Sequence, residues 1–285
     1  MFTTLITAHE LQQLMSSGAP LRVFDCSFEL MNPDAGTAQF AQEHIPGSVH
    51  VHLDQHLSDK TGADRASGGR HPLPSRETFA KRMAALGLSD GMQVVVLDRQ
   101  GANYCGRLWW MLKWCGHEAV AVLDGGLAAW KAAGGAAIGG PSPQPEPGHF
   151  TLKPSAANTA STPTITAALG RPGQTLIDAR ASARFRGEVE PLDPVAGHIP
   201  GALNRPFADN LGPDGHFKPA AQLRAEFEQL LAGRDPASVV HHCGSGVSAI
   251  PNLLAMEIAG LGRTKLYPGS WSEWCTTPDT PCAAG

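Results

Sequence analysis

The tetrapeptide His44-Ile-Pro-Gly47 returns unchanged later in the chain as His198-Ile-Pro-Gly201. The segments around the two tetrapeptides also match, and they follow in the same order with nearly the same spacing. Val23-Phe-Asp25 corresponds to Leu176-Ile-Asp178, Val94-Val-Val-Leu-Asp98 to Val239-Val-His-His-Cys243, and Asp124-Gly-Gly-Leu-Ala-Ala-Trp130 to Pro268-Gly-Ser-Trp-Ser-Glu-Trp274. Four matched features in one order predict two copies of a single domain of roughly 120 to 130 residues.

The chain length agrees with this division. A chain of 285 residues is long enough for about two domains, each with a hydrophobic core of its own. Between the copies lies a segment dense in Gly and Pro, which is typical of an extended linker. We therefore predict a first domain over residues 1–134, a linker over 135–150 and a second domain over 151–285.

Short apolar runs alternate with helix-like segments, an order typical of an α/β fold in which helices flank a central, mostly parallel sheet. The first helix should begin after Thr7, because Glu10 completes a capping box and Gly18 follows the helix end. The apolar runs are residues 21–24, 94–97, 120–123, 176–177 and 239–240, and further helices are expected over 78–86, 107–114, 222–231 and 252–259.

The composition excludes several classes of protein. Lysine and arginine number 22 against 26 aspartate and glutamate, and no basic run occurs, so nucleic acid is not an expected partner. No apolar run approaches the 18 or so residues of a membrane span, and no membrane partner is expected. We expect a soluble, cytoplasmic protein, as a monomer or weak homodimer, whose six cysteines are reduced thiols because none forms a C-x-x-C pair.

The two copies differ at the end of the central strand. The first copy has Asp98 there, whereas the second has Cys243, followed by Gly244 and Gly246 and an apolar helix. Two glycines let a loop curl so that its N–H groups converge, and the helix N-terminus adds further donors. Lowering the pKa of a thiol by about two units from its usual value of about 8.5 takes about 2.7 kcal/mol, of which a helix terminus supplies about 0.3 to 1, so amide hydrogen bonds must supply the rest. This pattern predicts a nucleophilic thiolate in the second copy alone.

The motifs as a set resemble the tandem-domain sulfurtransferases of the rhodanese superfamily. The resemblance is carried by the matched segments quoted above, by Cys243-Gly-Ser-Gly-Val-Ser-Ala249, and by the run from Asp178 to Gly187. The loop Cys-Gly-Ser-Gly-Val is similar to that of the 3-mercaptopyruvate sulfurtransferase branch. The resemblance implies an inactive first domain, a catalytic second domain and a site in the cleft between them.

The resemblance also implies roles for particular residues. Cys243 matches the nucleophile that carries a persulfide, and Arg184 matches an arginine that holds the substrate carboxylate. Ser245, His71 and Asp54 match residues proposed to form a hydroxyl, imidazole and carboxylate chain. Such a chain is chemically useful, because detaching sulfur from mercaptopyruvate leaves an enolate that must gain a proton. The loop residues expected to bind the donor are Gly244, Gly246, Val247 and Ser248.

The sequence departs from this branch at one point. Mercaptopyruvate enzymes commonly carry a second arginine before the second His-Ile-Pro-Gly, but here residues 188–195 contain none. Bidentate recognition of the α-keto acid is weakened accordingly. Arg70, next to His71, is our candidate to supply the missing charge from the other domain, so that Arg70→Ala should raise KM for mercaptopyruvate.

The leading hypothesis is a sulfurtransferase that takes sulfur from 3-mercaptopyruvate, releases pyruvate, and passes the sulfur from Cys243 to an acceptor. The acceptor would be a thiol, cyanide or a reduced thioredoxin-like protein, and neither a cofactor nor a metal is required. Thiosulfate is the nearest alternative donor, and the absence of a second arginine from residues 188–195 favours it.

The sequence disfavours two further classes of protein. A cysteine-dependent phosphatase or arsenate reductase needs a Cys-x5-Arg loop, but the sixth residue after Cys243 is Ala249. A binding protein with two silent copies would not need the glycine loop. Histidines at positions 50, 52, 56, 241 and 242 lack the spacing of a structural zinc site.

Overall fold

The structure is a computed structural model that describes residues 1–285. The chain forms two structural units, which are described separately. The first contains residues 1–64, 74–156 and 213–217, and the second contains residues 65–73, 157–212 and 218–285. No helix of the chain has the length and apolar character that crossing a membrane requires.

The first unit is built on a five-stranded parallel sheet in the order β1-β5-β4-β2-β3, with helices around it. Its strands are β1 (Leu5–Ile6), β2 (Leu21–Asp25), β3 (Val49–His50), β4 (Gln93–Leu97) and β5 (Val120–Leu123). Its helices are α1 (Ala8–Ser16), α2 (Ala35–Gln42), α3 (Leu53–His56), α4 (Arg76–Ala85), α5 (Cys105–Trp114) and α6 (Gly126–Ala132).

The second unit repeats this topology, with a parallel sheet in the order β6-β10-β9-β7-β8. Its strands are β6 (Asn158–Thr159), β7 (Thr175–Asp178), β8 (Leu203–Asn204), β9 (Val239–His242) and β10 (Lys265–Leu266). Its helices are α7 (Thr162–Ala168), α8 (Ser182–Phe185), α9 (Ala220–Leu231), α10 (Ile250–Ile258) and α11 (Ser270–Trp274), with short 3-10 turns at Phe207–Asn210 and Pro236–Ser238. The equal strand orders confirm the α/β fold class and the internal duplication.

The central strands are buried on both faces. Every residue of β4, β7 and β9 is buried, as expected for parallel strands covered by helices on each side. The register places Asp178 beside His242, so β7 and β9 end at the same edge of the second sheet. The loop that begins at Cys243 leaves this edge, where parallel α/β sheets bind their ligands.

The predicted helices form, with ends that differ by one or two residues. Helix α1 follows Thr7, whose hydroxyl accepts a hydrogen bond from Glu10 N–H while the Glu10 carboxylate accepts one from Thr7 N–H at 2.9 Å. The capping box read from the sequence is therefore confirmed. Helix α9 buries Leu223, Phe227 and Leu231 on one face.

Candidate active site

Cys243 begins a loop that joins β9 to α10, and backbone contacts hold this loop in place. The Cys243 N–H donates to Ser270 Oγ at 3.1 Å, and the Cys243 carbonyl accepts from Trp271 N–H at 2.9 Å. Gly246 has φ +72°, and a Cβ there would collide with the carbonyl oxygen of Pro268. The loop is thus fixed to the start of α11, and its curl requires glycine at position 246.

The side chain of Cys243 is nearly enclosed, since only 2% of the residue is exposed. Burial of this degree is also typical of inert cysteines. The charged and polar groups around the loop distinguish this cysteine from an inert one.

Ser245 is hydrogen-bonded to a histidine that lies far from it in the sequence. The Oγ of Ser245 lies 2.7 Å from Nδ1 of His71, and both residues are buried. His71 belongs to residues 65–73, the short segment of the first half of the chain that is part of the second unit. The structure therefore brings together two of the three members of the expected proton-transfer chain.

Asp54, the third member, lies in the first unit. It occupies the first turn of α3, and its Oδ1 is 2.8 Å from Nζ of Lys60. Its participation with Ser245 and His71 stays a prediction.

Two arginines lie beside the loop at Gly244. A Cβ on Gly244 would come within 2.9 Å of Nη2 of Arg70 and within 3.6 Å of Nη1 of Arg184. The Nε of Arg70 is buried and has no hydrogen-bond partner, so the guanidinium keeps a free donor. Arg70 was expected from the other domain, but residues 65–73 place it in the second unit. Both predicted carboxylate-binding arginines therefore lie next to the residue that follows Cys243.

Two carboxylates from residues 190–193 pair with these arginines. Arg70 forms an ion pair with Asp193, and Arg184 Nη2 lies 3.3 Å from Oδ2 of the same residue. Arg184 Nη2 also lies 2.6 Å from Oε1 of Glu190. Both carboxylates are buried, with side-chain exposures of 3% and 4%. The acidic segment 188–193 was notable in the sequence only because it lacks an arginine. In the structure its carboxylates hold Arg70 and Arg184.

The neighbouring arginines have structural partners. Arg180 is buried, with Nη2 2.6 Å from Oδ2 of Asp178, and its guanidinium lies over the Trp271 ring at 4.9 Å. Burial acts to lower the pKa of Arg180, but the charge and hydrogen bonds of Asp178 outweigh it, so the pKa is raised. Arg186 forms an exposed pair with Glu188 at 2.6 Å. Arg180 and Arg186 are therefore both paired with carboxylates.

The histidines before Cys243 are structural. His242 is fully buried beside Asp178, at 3.9 Å, and burial lowers its pKa despite that neighbour. His241 contacts the sulfur of Met256 through Nε2 at 3.2 Å. No group of three or more His, Cys, Asp or Glu side chains is placed to hold a metal ion.

In the first unit, the loop that corresponds to the Cys243 loop follows β4 and begins at Asp98. The Asp98 carboxylate accepts four backbone hydrogen bonds, from the N–H groups of Gln100, Ala102, Tyr104 and Cys105, at 2.8 to 3.0 Å. Burial raises the pKa of Asp98 in spite of these bonds. The converging N–H groups form an anion cradle, and here a carboxylate fills it.

Comparison with known proteins agrees with this architecture. The Rhodanese-like domain family model matches residues 7–133 and again residues 162–277. The chain belongs to the rhodanese family. A Pseudomonas aeruginosa protein, provisionally named 3-mercaptopyruvate sulfurtransferase, is 46% identical over 282 residues, which cover 99% of this chain and 98% of that protein.

Other relatives carry sulfurtransferase names with different donors. A Mycobacterium tuberculosis protein, provisionally named thiosulfate sulfurtransferase, is 41% identical over 99% of this chain and 97% of its own length. The solved 3-mercaptopyruvate sulfurtransferase from Leishmania major superposes with a TM-score of 0.83 at 30% identity, covering 98% of this chain and 76% of that one. The prediction of a sulfurtransferase is confirmed.

Proposed function

We propose that this chain is a 3-mercaptopyruvate sulfurtransferase in which Cys243 carries the sulfur. In the first half-reaction the Cys243 thiolate attacks the sulfur of 3-mercaptopyruvate. A sulfur–sulfur bond forms while the carbon–sulfur bond breaks, and the bond pair stays on carbon as the enolate of pyruvate. The enolate then gains one proton, which gives pyruvate and a persulfide on Cys243.

The observation that carries this choice of donor is the 2.7 Å hydrogen bond between Ser245 and His71. Mercaptopyruvate needs a proton donor near the leaving carbon, and a hydroxyl backed by an imidazole can supply one. Thiosulfate does not need it, because its leaving group is sulfite, a stable anion. A buried hydroxyl and imidazole next to the nucleophile therefore favour the keto acid.

Binding of the donor is assigned to the two arginines beside Gly244. A carboxylate is recognised by guanidinium N–H groups, and Arg70 presents Nη2 toward Gly244. Arg184 presents Nη1 on the same side of the loop. We assign Gly244, Gly246, Val247 and Ser248 to the loop that surrounds the donor sulfur.

The thiolate and the persulfide are both stabilised, in this proposal, by amides of the loop. The support comes from the first unit, where Asp98 occupies the position matched to Cys243 and gathers four N–H groups. By the same match, Ser245, Val247 and Ala249 correspond to three of the four donors, whereas the fourth position, Ile250, donates its N–H to the Val247 carbonyl at 3.1 Å. One cradle would serve both anions.

In the second half-reaction an acceptor takes the outer sulfur. A thiolate or cyanide attacks that atom, the sulfur–sulfur bond breaks, and Cys243 leaves as the thiolate with which the cycle began. The acceptor is proposed to be a small thiol, cyanide or a reduced thioredoxin-like protein, in the cytoplasm.

The donor assignment is tested by measuring kcat/KM for 3-mercaptopyruvate and for thiosulfate with one acceptor. We expect a clear preference for 3-mercaptopyruvate. Thiosulfate is the second candidate, because residues 188–195 lack the second arginine and a relative carries that donor's name. A large preference for thiosulfate would overturn the proposal.

A further inference from the structure

We propose that Asp193 is a specificity-determining residue, whose charge restricts the donor site to molecules with a single negative charge. The inference rests on the proposed function, since it concerns how that site chooses between two donors. It comes from the acidic segment 188–193, which holds the two arginines beside Gly244.

Asp193 contacts both of the arginines assigned to the donor. Its Oδ1 pairs with Nη1 of Arg70, and its Oδ2 lies 3.3 Å from Nη2 of Arg184. The side chain of Asp193 is only 3% exposed, so water screens these charges little. One buried carboxylate thus bridges the two guanidinium groups that lie beside Gly244.

Glu190 plays a different part. Its Oε1 accepts hydrogen bonds from the backbone N–H groups of Leu192 and Asp193, at 3.0 and 3.1 Å, and its Oε2 lies 3.4 Å from Nη1 of Arg180. These bonds shape the loop and tie it to a buried arginine. Glu190 touches only one donor-binding arginine, Arg184, whereas Asp193 touches both.

The charges of the two arginines and the two carboxylates cancel before a sulfur donor binds. Arg70 and Arg184 bring two positive charges, and Asp193 and Glu190 bring two negative charges. A donor must then bind through the guanidinium N–H groups that face Gly244, at Nη2 of Arg70 and Nη1 of Arg184, with little net attraction. Mercaptopyruvate with a protonated thiol carries one charge and thiosulfate carries two, so the net positive charge left by removing one carboxylate would attract thiosulfate about twice as strongly.

The test replaces Asp193 by asparagine, which keeps the shape and one hydrogen-bond acceptor but removes the charge. We expect Asp193→Asn to raise the ratio of kcat/KM for thiosulfate to kcat/KM for 3-mercaptopyruvate by about tenfold, which corresponds to about 1.4 kcal/mol. Asp193→Glu keeps the charge and should leave the ratio within about threefold of wild type. The matched control is Glu188→Gln, which removes a carboxylate from the same segment but from an exposed pair with Arg186.

Each outcome decides the inference. A fall in kcat/KM for both donors by the same factor would mean that Asp193 is merely structural, and it would overturn the proposal. An equal change of the ratio in Asp193→Asn and Asp193→Glu would also overturn it, because charge would not be the cause. The donor preference of the wild-type protein tests the proposed function separately, which fails if the wild type favours thiosulfate. If the wild type favours mercaptopyruvate and Asp193→Asn leaves the ratio of the two kcat/KM values unchanged, only the inference about Asp193 fails.

Discussion

The residues of the candidate site differ in how readily they can be predicted from the sequence. Cys243 and Ser245 stand in one short loop with a recognisable motif, so both could be chosen from the sequence. The pairing of Ser245 with His71 needed the family resemblance, because 174 positions separate them. The contacts of Asp193 with Arg70 and Arg184 were not predicted, because no sequence pattern shows which guanidinium groups a carboxylate will meet in the folded chain.

The hydroxyl of Ser245 gives the first prediction. Ser245→Ala should lower kcat with 3-mercaptopyruvate by about 10²-fold, since proton transfer by a positioned group contributes that much or more. With thiosulfate the loss should be much smaller, because sulfite leaves without a proton. Steady-state kinetics with both donors and one acceptor measures the difference.

Its control is Ser48→Ala, which removes a buried hydroxyl from the first unit and should leave both rates unchanged. Equal losses with both donors in Ser245→Ala would show that the hydroxyl supports the loop and does not deliver the proton.

Among the helices and strands, the sequence predicted the features that depend on short, local sequence patterns. The central strands and the capping box of α1 were found where expected, because they depend on apolar runs and on a three-residue spacing. The assignment of residues 65–73 to the second unit was not predicted, because no local pattern marks a segment that packs with a distant part of the chain. That segment contributes both Arg70 and His71 to the site.

The loop after β9 gives the second prediction, which concerns Gly246. Gly246→Ala places a Cβ against the carbonyl of Pro268 and must displace the loop. We expect alkylation of Cys243 by iodoacetamide and kcat/KM to fall at least about tenfold, because losing one hydrogen bond to an anion costs about 1.5 to 3 kcal/mol. Peptide mass spectrometry follows Cys243 apart from the other thiols.

Gly201→Ala is the matched control, since Gly201 has φ +77° but no atom within 4 Å of a new Cβ. It should lose about 1 to 2 kcal/mol of stability from backbone strain and keep a reactive Cys243. An unaltered alkylation rate in Gly246→Ala would contradict the importance assigned to the loop geometry.

At the scale of the whole molecule, the duplication accounts for the fold and for the contrast between Asp98 and Cys243 at matched positions. Two sheets with the same strand order offer two equivalent loops, and the chain fills one with Asp98 and places a thiol in the other. The sequence predicted this contrast because the copies serve as each other's reference. It could not show that four N–H groups converge on Asp98, which depends on the folded loop.

Buried histidines give the third prediction, an acid-sensitive stability. Burial lowers the pKa of His241 to about 3 and that of His56 to about 4. The unfolded chain takes up a proton near pH 6.5 and the folded chain does not, so stability is full above that pH and falls on acidification by about 1.4 kcal/mol per pH unit for each histidine. The decline from one histidine stops at its folded pKa.

Urea denaturation at about pH 7.5 and about pH 5.5 measures this loss, and His241→Asn should reduce it by roughly 1.4 kcal/mol. His149→Asn, at an exposed position, should leave the loss unchanged. An undiminished loss in His241→Asn would contradict the assignment of acid sensitivity to this residue.

The most direct test of the central claim is the mass of the protein after exposure to 3-mercaptopyruvate without an acceptor. We expect one added sulfur atom, located on the peptide that contains Cys243 and removed by cyanide, and no addition to the Cys243→Ser variant. Sulfur found on another cysteine, or wild-type protein that releases pyruvate while Cys243 stays unmodified, would contradict the account.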